Sequence, residues 1–336
     1  MGEEQHKLVV SVSPHIKCEV TVARIMWLVT LALVPAFAAS VYFFGMRSLI
    51  VQAVTIISCL GFEAMTLKMV NRPINLADGS AFLTGLLLGF NLPSNIPLYI
   101  PVIGSFVAIT ITKHIFGGLG YNIFNPALIG RAFVLISWPK QMTSWMAPVK
   151  SITDMDVVSA ATPLNVVKLG ETTSQGMQTL LEQFGGSATA LYKSLLFGGV
   201  SGSLGETSAL LILIGGVFLL IRGYITWHIP ISFIATVAIV AQVTGNDPVF
   251  HVLAGGLMLG AFFMATDYVT SPSVRSAQIV FGICCGLLTM LIRLKGGYPE
   301  GVMFAILIMN CFAPLLDRGM RTKTFGAAGK KKEVAA

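Results

Sequence analysis

Few residues in this chain can do chemistry, because only 11% of its 336 residues are charged. Three groups stand out. The run Asp156-Val157-Val158-Ser159-Ala160-Ala161-Thr162-Pro163-Leu164 sets a hydroxyl among small side chains, so a bulky partner has room to approach. Pro163 disfavours helical geometry at Thr162 and pushes it toward an extended conformation, which is expected to present the hydroxyl. On residue chemistry alone, the run reads either as a modification loop or as an ordinary turn. Asn122 and Asn125, in Asn122-Ile123-Phe124-Asn125-Pro126, place two carboxamides ahead of an apolar segment. Asn before Pro is a helix-start signal, so both can equally be plain caps. Glu63, Asp267 and Arg131 lie in or at the end of apolar runs, where an ionisable group is costly and marks an ion path or a buried pair. Glu300 and Arg293, near the ends of such runs, are weaker candidates of the same kind.

A membrane must position these residues. Hydrophobic residues make up 54% of the chain, and the mean hydropathy is +0.79. A soluble domain carries about 25% charged residues. Crossing roughly 30 Å of hydrocarbon takes about 20 apolar residues, and ten segments are candidates: 23–44, 48–69, 79–92, 97–116, 125–139, 206–223, 226–245, 248–266, 276–293 and 300–316. The expected fold is therefore an all-α polytopic membrane protein of about ten transmembrane helices. The third and fifth segments are short and bounded by Asn91-Leu92-Pro93 and Asn125-Pro126. They are expected to be helices that are broken or start inside the membrane and that line a site, since freed backbone groups must find partners in protein or water.

The segments fall into two groups of five. Gly117-Gly118 aligns with Gly296-Gly297, which brings Leu128-Ile129 onto Leu307-Ile308 and Phe133 onto Phe312. Leu83-Thr84-Gly85 also resembles Leu253-Ala254-Gly255. With five spans per half, the second half enters from the opposite face, an inverted repeat. The expected division is a segment 1–22, a first repeat 23–139, a hydrophilic stretch 140–205, a second repeat 206–317 and a basic tail 318–336. Lys68, Arg72, Lys113, Arg222, Arg275 and the tail lie on one side of this layout, against Arg47, Arg293 and Lys295 on the other. The positive-inside rule then puts both termini in the cytoplasm and 140–205 outside; Arg293 and Lys295 are exceptions that can snorkel to the interface.

Several function classes are disfavoured. The net charge of +7 is concentrated in the tail, which reads as retained cytoplasmic charge rather than a nucleic-acid interface. MGEEQHKLVV lacks the apolar core of a cleaved signal, so the first span is expected to be retained. The five cysteines make no C-x-x-C pair and read as packing residues, with no metal, iron–sulfur or disulfide framework expected. No glycine-rich segment sits in a strand–helix context, so NAD binding is not expected.

The segment 156–162 resembles the Asp-x-x-(Ser/Thr)-(Gly/Ala)-Ala-Thr pattern on which flavin transferases attach FMN to threonine through a phosphoester. The stretch Phe116-Gly117-Gly118-Leu119-Gly120-Tyr121-Asn122-Ile123-Phe124-Asn125-Pro126-Ala127-Leu128-Ile129-Gly130-Arg131-Ala132-Phe133 resembles the corresponding region of the NqrB/RnfD family, as does Ser13-Pro14-His15. With the span layout and the position of the long hydrophilic segment, the resemblance covers nearly the whole chain; the short N-terminal segment is closer to the RnfD side. Ala160 departs from the pattern where glycine is common, but alanine is nearly as small. The resemblance implies a subunit of an Rnf-type complex in the bacterial inner membrane, coupling electron transfer between ferredoxin and NAD to movement of Na⁺ or H⁺. It implies FMN on Thr162, electrons from an FMN-bearing neighbour subunit, and Asp156 and Ser159 as transferase recognition residues. NAD and ferredoxin would be handled by other subunits, with no catalytic residue in this chain. It also implies a non-covalent riboflavin held in part by Asn122 and Asn125, whose carboxamides can donate to and accept from the polar edge of an isoalloxazine. Ser187-Ala188-Thr189 is a second candidate, but Gly186 stands where the pattern wants Ser or Thr and Gln183 where it wants an acid. Thr189 is therefore not expected to be modified.

Two other readings compete. Inverted five-helix repeats with short central spans also resemble urea-channel-like permeases, and the chain could be a non-redox scaffold. A redox subunit is yellow when purified and keeps its flavin fluorescence after denaturation; a permease is colourless.

Overall fold

The computed structural model describes residues 20–148, 160–171, 176–206 and 208–321. Asp156, Ser159, Ser13-Pro14-His15 and the lysines of the tail lie outside the described residues. Every regular element among the described residues is helical. Among the described residues, three helices are long and apolar enough to cross a membrane: α1 (Val22–Met69), α13 (Arg275–Lys295) and α14 (Val302–Gly319). Apolar side chains such as Ile221 and Val243 are 80% exposed. This suits a chain whose solvent is lipid, where outward apolar faces cost nothing.

The first two candidate segments form one continuous element with a reversal inside it. Gly45 holds φ 69° and ψ −164° within α1, a conformation open to a residue without Cβ. On a straight helix residues 40 and 52 would lie about 18 Å apart, yet Gln52 Nε2 donates to Ser40 Oγ at 2.8 Å. Likewise Trp27 Nε1 donates to Ala77 O at 3.0 Å across the whole length of the element. The chain therefore doubles back at Gly45.

The two short segments, 79–92 and 125–139, form short continuous helices, and the breaks fall in other segments. α2 (Ser80–Phe90) ends at Asn91. Residues 91–94, which follow, are buried, and backbone acceptors at this helix end are taken from the other half of the molecule: Leu204 N donates to Leu92 O at 3.1 Å and Gly205 N to Phe90 O at 2.7 Å. That is how non-helical backbone is tolerated at membrane depth. α3 (Tyr99–Phe106) runs on into a π-helical stretch, Val107–His114. α4 (Pro126–Ser137) starts on the carboxamide of Asn125. In the second half α9 (Ala209–Ile221) and α10 (His228–Val243) are regular. The segment 248–266, expected to be one span, is divided into α11 (Pro248–Leu253), α12 (Leu257–Leu259) and a π-helical continuation, Gly260–Met264. The division falls at Gly255 and Gly256, with φ 73° and 64°. Arg293 of α13 closes it, donating to His251 O at 2.6 Å and Ala254 O at 2.9 Å. A cation on the last carbonyls of a helix satisfies them and complements its dipole. Arg293 is thus a buried cap, not the snorkelling side chain read from its position.

Close helix packing uses small residues. Gly282 and Gly286 of α13 form a Gly-x-x-x-Gly pair against α10, and a Cβ at Gly286 would come within 2.6 Å of Thr236 Cβ.

The hydrophilic stretch 140–205 is more structured than a loop. Its described part contains α5 (Pro139–Met142), α6 (Pro163–Glu171), α7 (Gly176–Gln183) and α8 (Ala188–Phe197). Leu164, Val167, Leu180, Leu191 and Leu195 bury a small core of their own on Phe250 and Ala254 of the α11 region. Tyr192 donates to the Asp247 carboxylate; that bond, with some burial, pushes the phenol up to about 12. Asp247 also caps α11, so this helical cap is pinned to the start of a broken helix.

Candidate functional site

Thr162 stands immediately before α6, with Pro163 as the first helical residue. Its Oγ1 accepts from Asn165 N at 3.2 Å, and its carbonyl accepts from Val166 N at 3.0 Å. Threonine before proline is therefore a helix cap, with the hydroxyl oxygen taking up one of the free amides of the first turn. Thr162 is only 3% exposed, contrary to the presentation expected from Pro163. The extended geometry that proline favours is also that of a cap residue, and Leu164 and Val167 draw the first turn into the core. Thr189, by contrast, is exposed on the first turn of α8.

Thr162 does not itself line the nearby cavity of about 300 Å³, but two of its neighbours do. Ala160 N donates to Trp145 O at 3.0 Å, and Trp145 and Asn165 both line the cavity. Lys168, at the far end of α6, donates to Ile292 O, Gly296 O and Tyr298 O, fastening the helix to the α13–α14 connection. The opposite wall carries Tyr298, Phe304, Glu300 and Arg131. Its volume is at the lower end of the ~300–1,000 Å³ typical of ligand sites, and the mixture of aromatic walls with a few polar groups is also typical.

Arg131 comes from α4, is 8% exposed, and joins three elements. Nη1 donates to Asn91 Oδ1 at 2.9 Å, and Nη2 pairs with Glu300 Oε2. Its Nε is buried without a partner. Glu300, the weaker candidate by sequence, is thus the partner of Arg131, in place of Glu63 or Asp267.

Asn122 and Asn125 meet at a second, smaller cavity of about 90 Å³, together with Lys113, Thr266 and Asp267. Asn125 Oδ1 accepts from Ala127 N at 3.1 Å and Leu128 N at 3.4 Å, and its Nδ2 donates to Met264 O at 3.4 Å. Asn122 Nδ2 donates to Phe124 O at 3.1 Å. Both carboxamides are engaged in holding the start of α4, and the cavity is well below the usual ligand range.

Glu63 anchors a third group. Lys113 Nζ donates to Glu63 Oε1 at 2.7 Å, to Oε2 at 2.8 Å and to Ser80 Oγ at 2.7 Å. His114 Nε2 lies 3.0 Å from Glu63 Oε2. Ser80 Oγ in turn donates to Asp78 Oδ2 at 2.9 Å, at the half-buried start of α2. Lys113, counted in the sequence as a surface charge that orients the chain, is 2% exposed and already neutralised. Lys113 and Asn91 were read only as an orienting charge and a helix boundary, and His114 and Tyr298 were not singled out by sequence reasoning. The available signal was a carboxylate in one span and a Lys-His pair in another, since a buried charge requires a partner. Asp267 accepts from Thr270 Oγ1 at 3.0 Å and reaches Glu63 only by way of the cavity that Lys113 also lines.

An all-helical membrane protein with broken helices, two buried charge groups and a capped threonine beside an aromatic cavity is the class defined by this geometry. The chain belongs to the NQR2, RnfD, RnfE family, whose model matches residues 9–326. It is 49% identical over 336 residues to the D subunit of the proton-translocating ferredoxin:NAD(+) oxidoreductase complex of Clostridium ljungdahlii, covering 97% of this chain and 99% of the relative. It is 47% identical to the D subunit of the Na(+)-translocating ferredoxin:NAD(+) oxidoreductase complex of Acetobacterium woodii, covering 98% of each. The D subunit of the ion-translocating oxidoreductase complex of Cronobacter sakazakii is 40% identical, over 94% of this chain and 97% of the relative.

Proposed function

We propose that this chain is the D subunit of an Rnf-type complex and carries electrons on FMN bound to Thr162, within a machine that couples ferredoxin–NAD electron transfer to movement of Na⁺ or H⁺. The whole-length likeness to subunits so named supports the complex. The relatives named for protons and for Na⁺ are 49% and 47% identical, so overall likeness does not select the ion.

The observation that carries the flavin reading is the placement of Thr162: a helix cap whose hydrogen-bond partner, Asn165, lines an aromatic cavity of about 300 Å³ that holds one arginine. A phosphoester on this hydroxyl would put its charge at the amino end of α6, where free amides and the helix dipole favour an anion. Trp145, Tyr298 and Phe304 suit a flat ring. The bound flavin supplies the redox chemistry; this chain holds and orients it and sets the charge around it. Because Thr162 is buried, the flavin transferase must act while the first turn of α6 is open, with Asp156 and Ser159 as its recognition residues. Electrons would arrive from an FMN-bearing neighbour subunit, and NAD and ferredoxin would be met elsewhere in the complex.

We further read the fold as ten spans in two inverted five-helix repeats in the bacterial inner membrane, both termini cytoplasmic and 140–205 outside. In support, α2 and α12 each follow a left-handed glycine, Gly79 and Gly256, and Asn91 at the end of α2 meets Met264 at the end of the π-helical continuation of α12, Nδ2 to Sδ at 3.8 Å. Glu63 and Asp267 are the ion-path residues of this reading, both bordering the small cavity directly or through Lys113; Arg131 belongs to the larger one. A riboflavin at Asn122 and Asn125 would need the small cavity to open.

The test is direct. Full-length chain made together with a flavin transferase should fluoresce in a denaturing gel, with a peptide containing Thr162 heavier by roughly 438 Da, one FMN joined with loss of water. A flavin-free product, or the mass on a Thr189 peptide, overturns the assignment. External protease should cut within 140–205 in spheroplasts; protection there with cleavage of the tail reverses the topology.

A further inference from the structure

Resting on the reading above, we infer that Arg131 sets the reduction potential of the ring in the larger cavity and that Glu300 is its counterweight. Among the described residues that line that cavity, Arg131 and Glu300 are the only ones with charged side chains. The other nearby cations are committed elsewhere: Lys168 to the carbonyls of Ile292, Gly296 and Tyr298, and Arg293 to those of His251 and Ala254. A guanidinium has five N–H donors. Here the two terminal nitrogens make one bond each, to Asn91 and Glu300, while the Nε–H is buried and unpartnered. Leaving such a donor unmet is costly, and a ligand acceptor in the cavity would relieve it.

The electrostatic consequence has a sign. Two electrons and one proton turn a neutral oxidised isoalloxazine into a reduced ring with one negative charge. The electrons come from the donor side of the proposed complex and the proton from water. Away from bulk water a neighbouring cation stabilises the more negative form and raises the potential, whereas a carboxylate lowers it. Arg131 is held in place by Asn91 and Glu300, so its charge stays at the cavity wall in both redox states. Opposite shifts on removing the two partners distinguish this role from simple support of the fold.

The experiment uses purified full-length chain carrying its covalent flavin, with gel fluorescence confirming attachment and spectroelectrochemical titration giving the potential. Arg131→Gln should move the potential negative by at least tenfold in the two-electron equilibrium, about 30 mV. Arg131→Lys should recover most of that shift. Glu300→Gln should move the potential positive. Flavinylated Arg131→Gln and Glu300→Gln proteins that both keep the wild-type potential overturn the inference, as do shifts of the same sign. If Arg131→Gln fails to fold, the Glu300→Gln result decides alone, and an unchanged or negative shift overturns the inference. Wild-type chain without flavin on Thr162 would sink the earlier reading instead, and these outcomes are separable because attachment is read before the potential.

Discussion

Two buried charge groups differ in how completely they are satisfied. Around Glu63 most groups have a partner: Lys113 gives three short bonds and Ser80 passes the chain of bonds to Asp78, while His114 Nε2 lies 3.0 Å from the second carboxylate oxygen without a well-aligned hydrogen bond. The adjoining cavity holds about 90 Å³. Around Arg131 the pairing is looser: Glu300 takes one nitrogen, Asn91 another, and Nε takes none, beside about 300 Å³ of space. A closed group of charges holds elements together, and its value lies in the penalty for breaking it. An incompletely satisfied group beside open volume is arranged for something that arrives later. The same residue types thus serve as a lock in one place and as a wall of a site in the other.

The largest expected effect is on the lock. Glu63→Ala leaves the Lys113 ammonium buried and unpaired, which costs about 3–5 kcal/mol. Glu300→Ala should cost less, on the order of 1–3 kcal/mol, because Arg131 keeps Asn91 and faces a cavity that water can enter. Thermal melting of the two variants in detergent measures the difference, and equal losses would erase the distinction. Next in size is the recovery on removing both charges of the lock. Glu63→Gln combined with Lys113→Met should regain most of the loss of the single Glu63 variant, since an apolar replacement of a buried pair is often close to neutral. A double variant no better than the single would show that Lys113 already has other adequate partners.

The sequence made the locks and caps legible to different degrees, for physical reasons. Asn125-Pro126 announced the start of α4, and the carboxamide does cap it, because capping is decided within four residues. The apolar segments were legible because lipid imposes hydropathy on each one separately. Glu63 was visible as a costly charge, but its partners lie 50 and 51 positions away, and Arg131 finds Glu300 at a separation of 169. Such pairings are set by helix packing and leave no local pattern. The division of 248–266 was hidden for a similar reason: Gly255 and Gly256 break the helix only because Arg293 of α13 is placed to satisfy the freed carbonyls. Thr162 shows a local signal read halfway. Pro163 correctly implied an extended residue, but a threonine in that position turns its oxygen inward to cap.

The smaller predictions compare the two caps, one beside each cavity. Asn125→Ala removes the acceptor for Ala127 N and Leu128 N and should cost about 0.5–2 kcal/mol; Asn125→Asp, which caps equally well, should cost much less. Thr162→Ala should lose a similar cap energy and, in addition, all covalent flavin. Thr162→Ser keeps both the cap oxygen and a hydroxyl for esterification, so its melting temperature should stay near wild type and any loss of fluorescence would report the transferase's preference alone. If Thr162→Ala melts like wild type when both are made without the transferase, the threonine is not holding α6 and the cap geometry carries no stability. The smallest effect is expected at Thr189. It is exposed on the first turn of α8, so Thr189→Ala should change stability by no more than about 0.5 kcal/mol and leave gel fluorescence intact. That comparison is the sharpest on the flavin site despite its size. Exposure alone would favour Thr189 over the buried Thr162, so full fluorescence in Thr189→Ala with none in Thr162→Ala would show that the neighbouring sequence and the cavity, and not accessibility in the folded chain, decide which hydroxyl is modified.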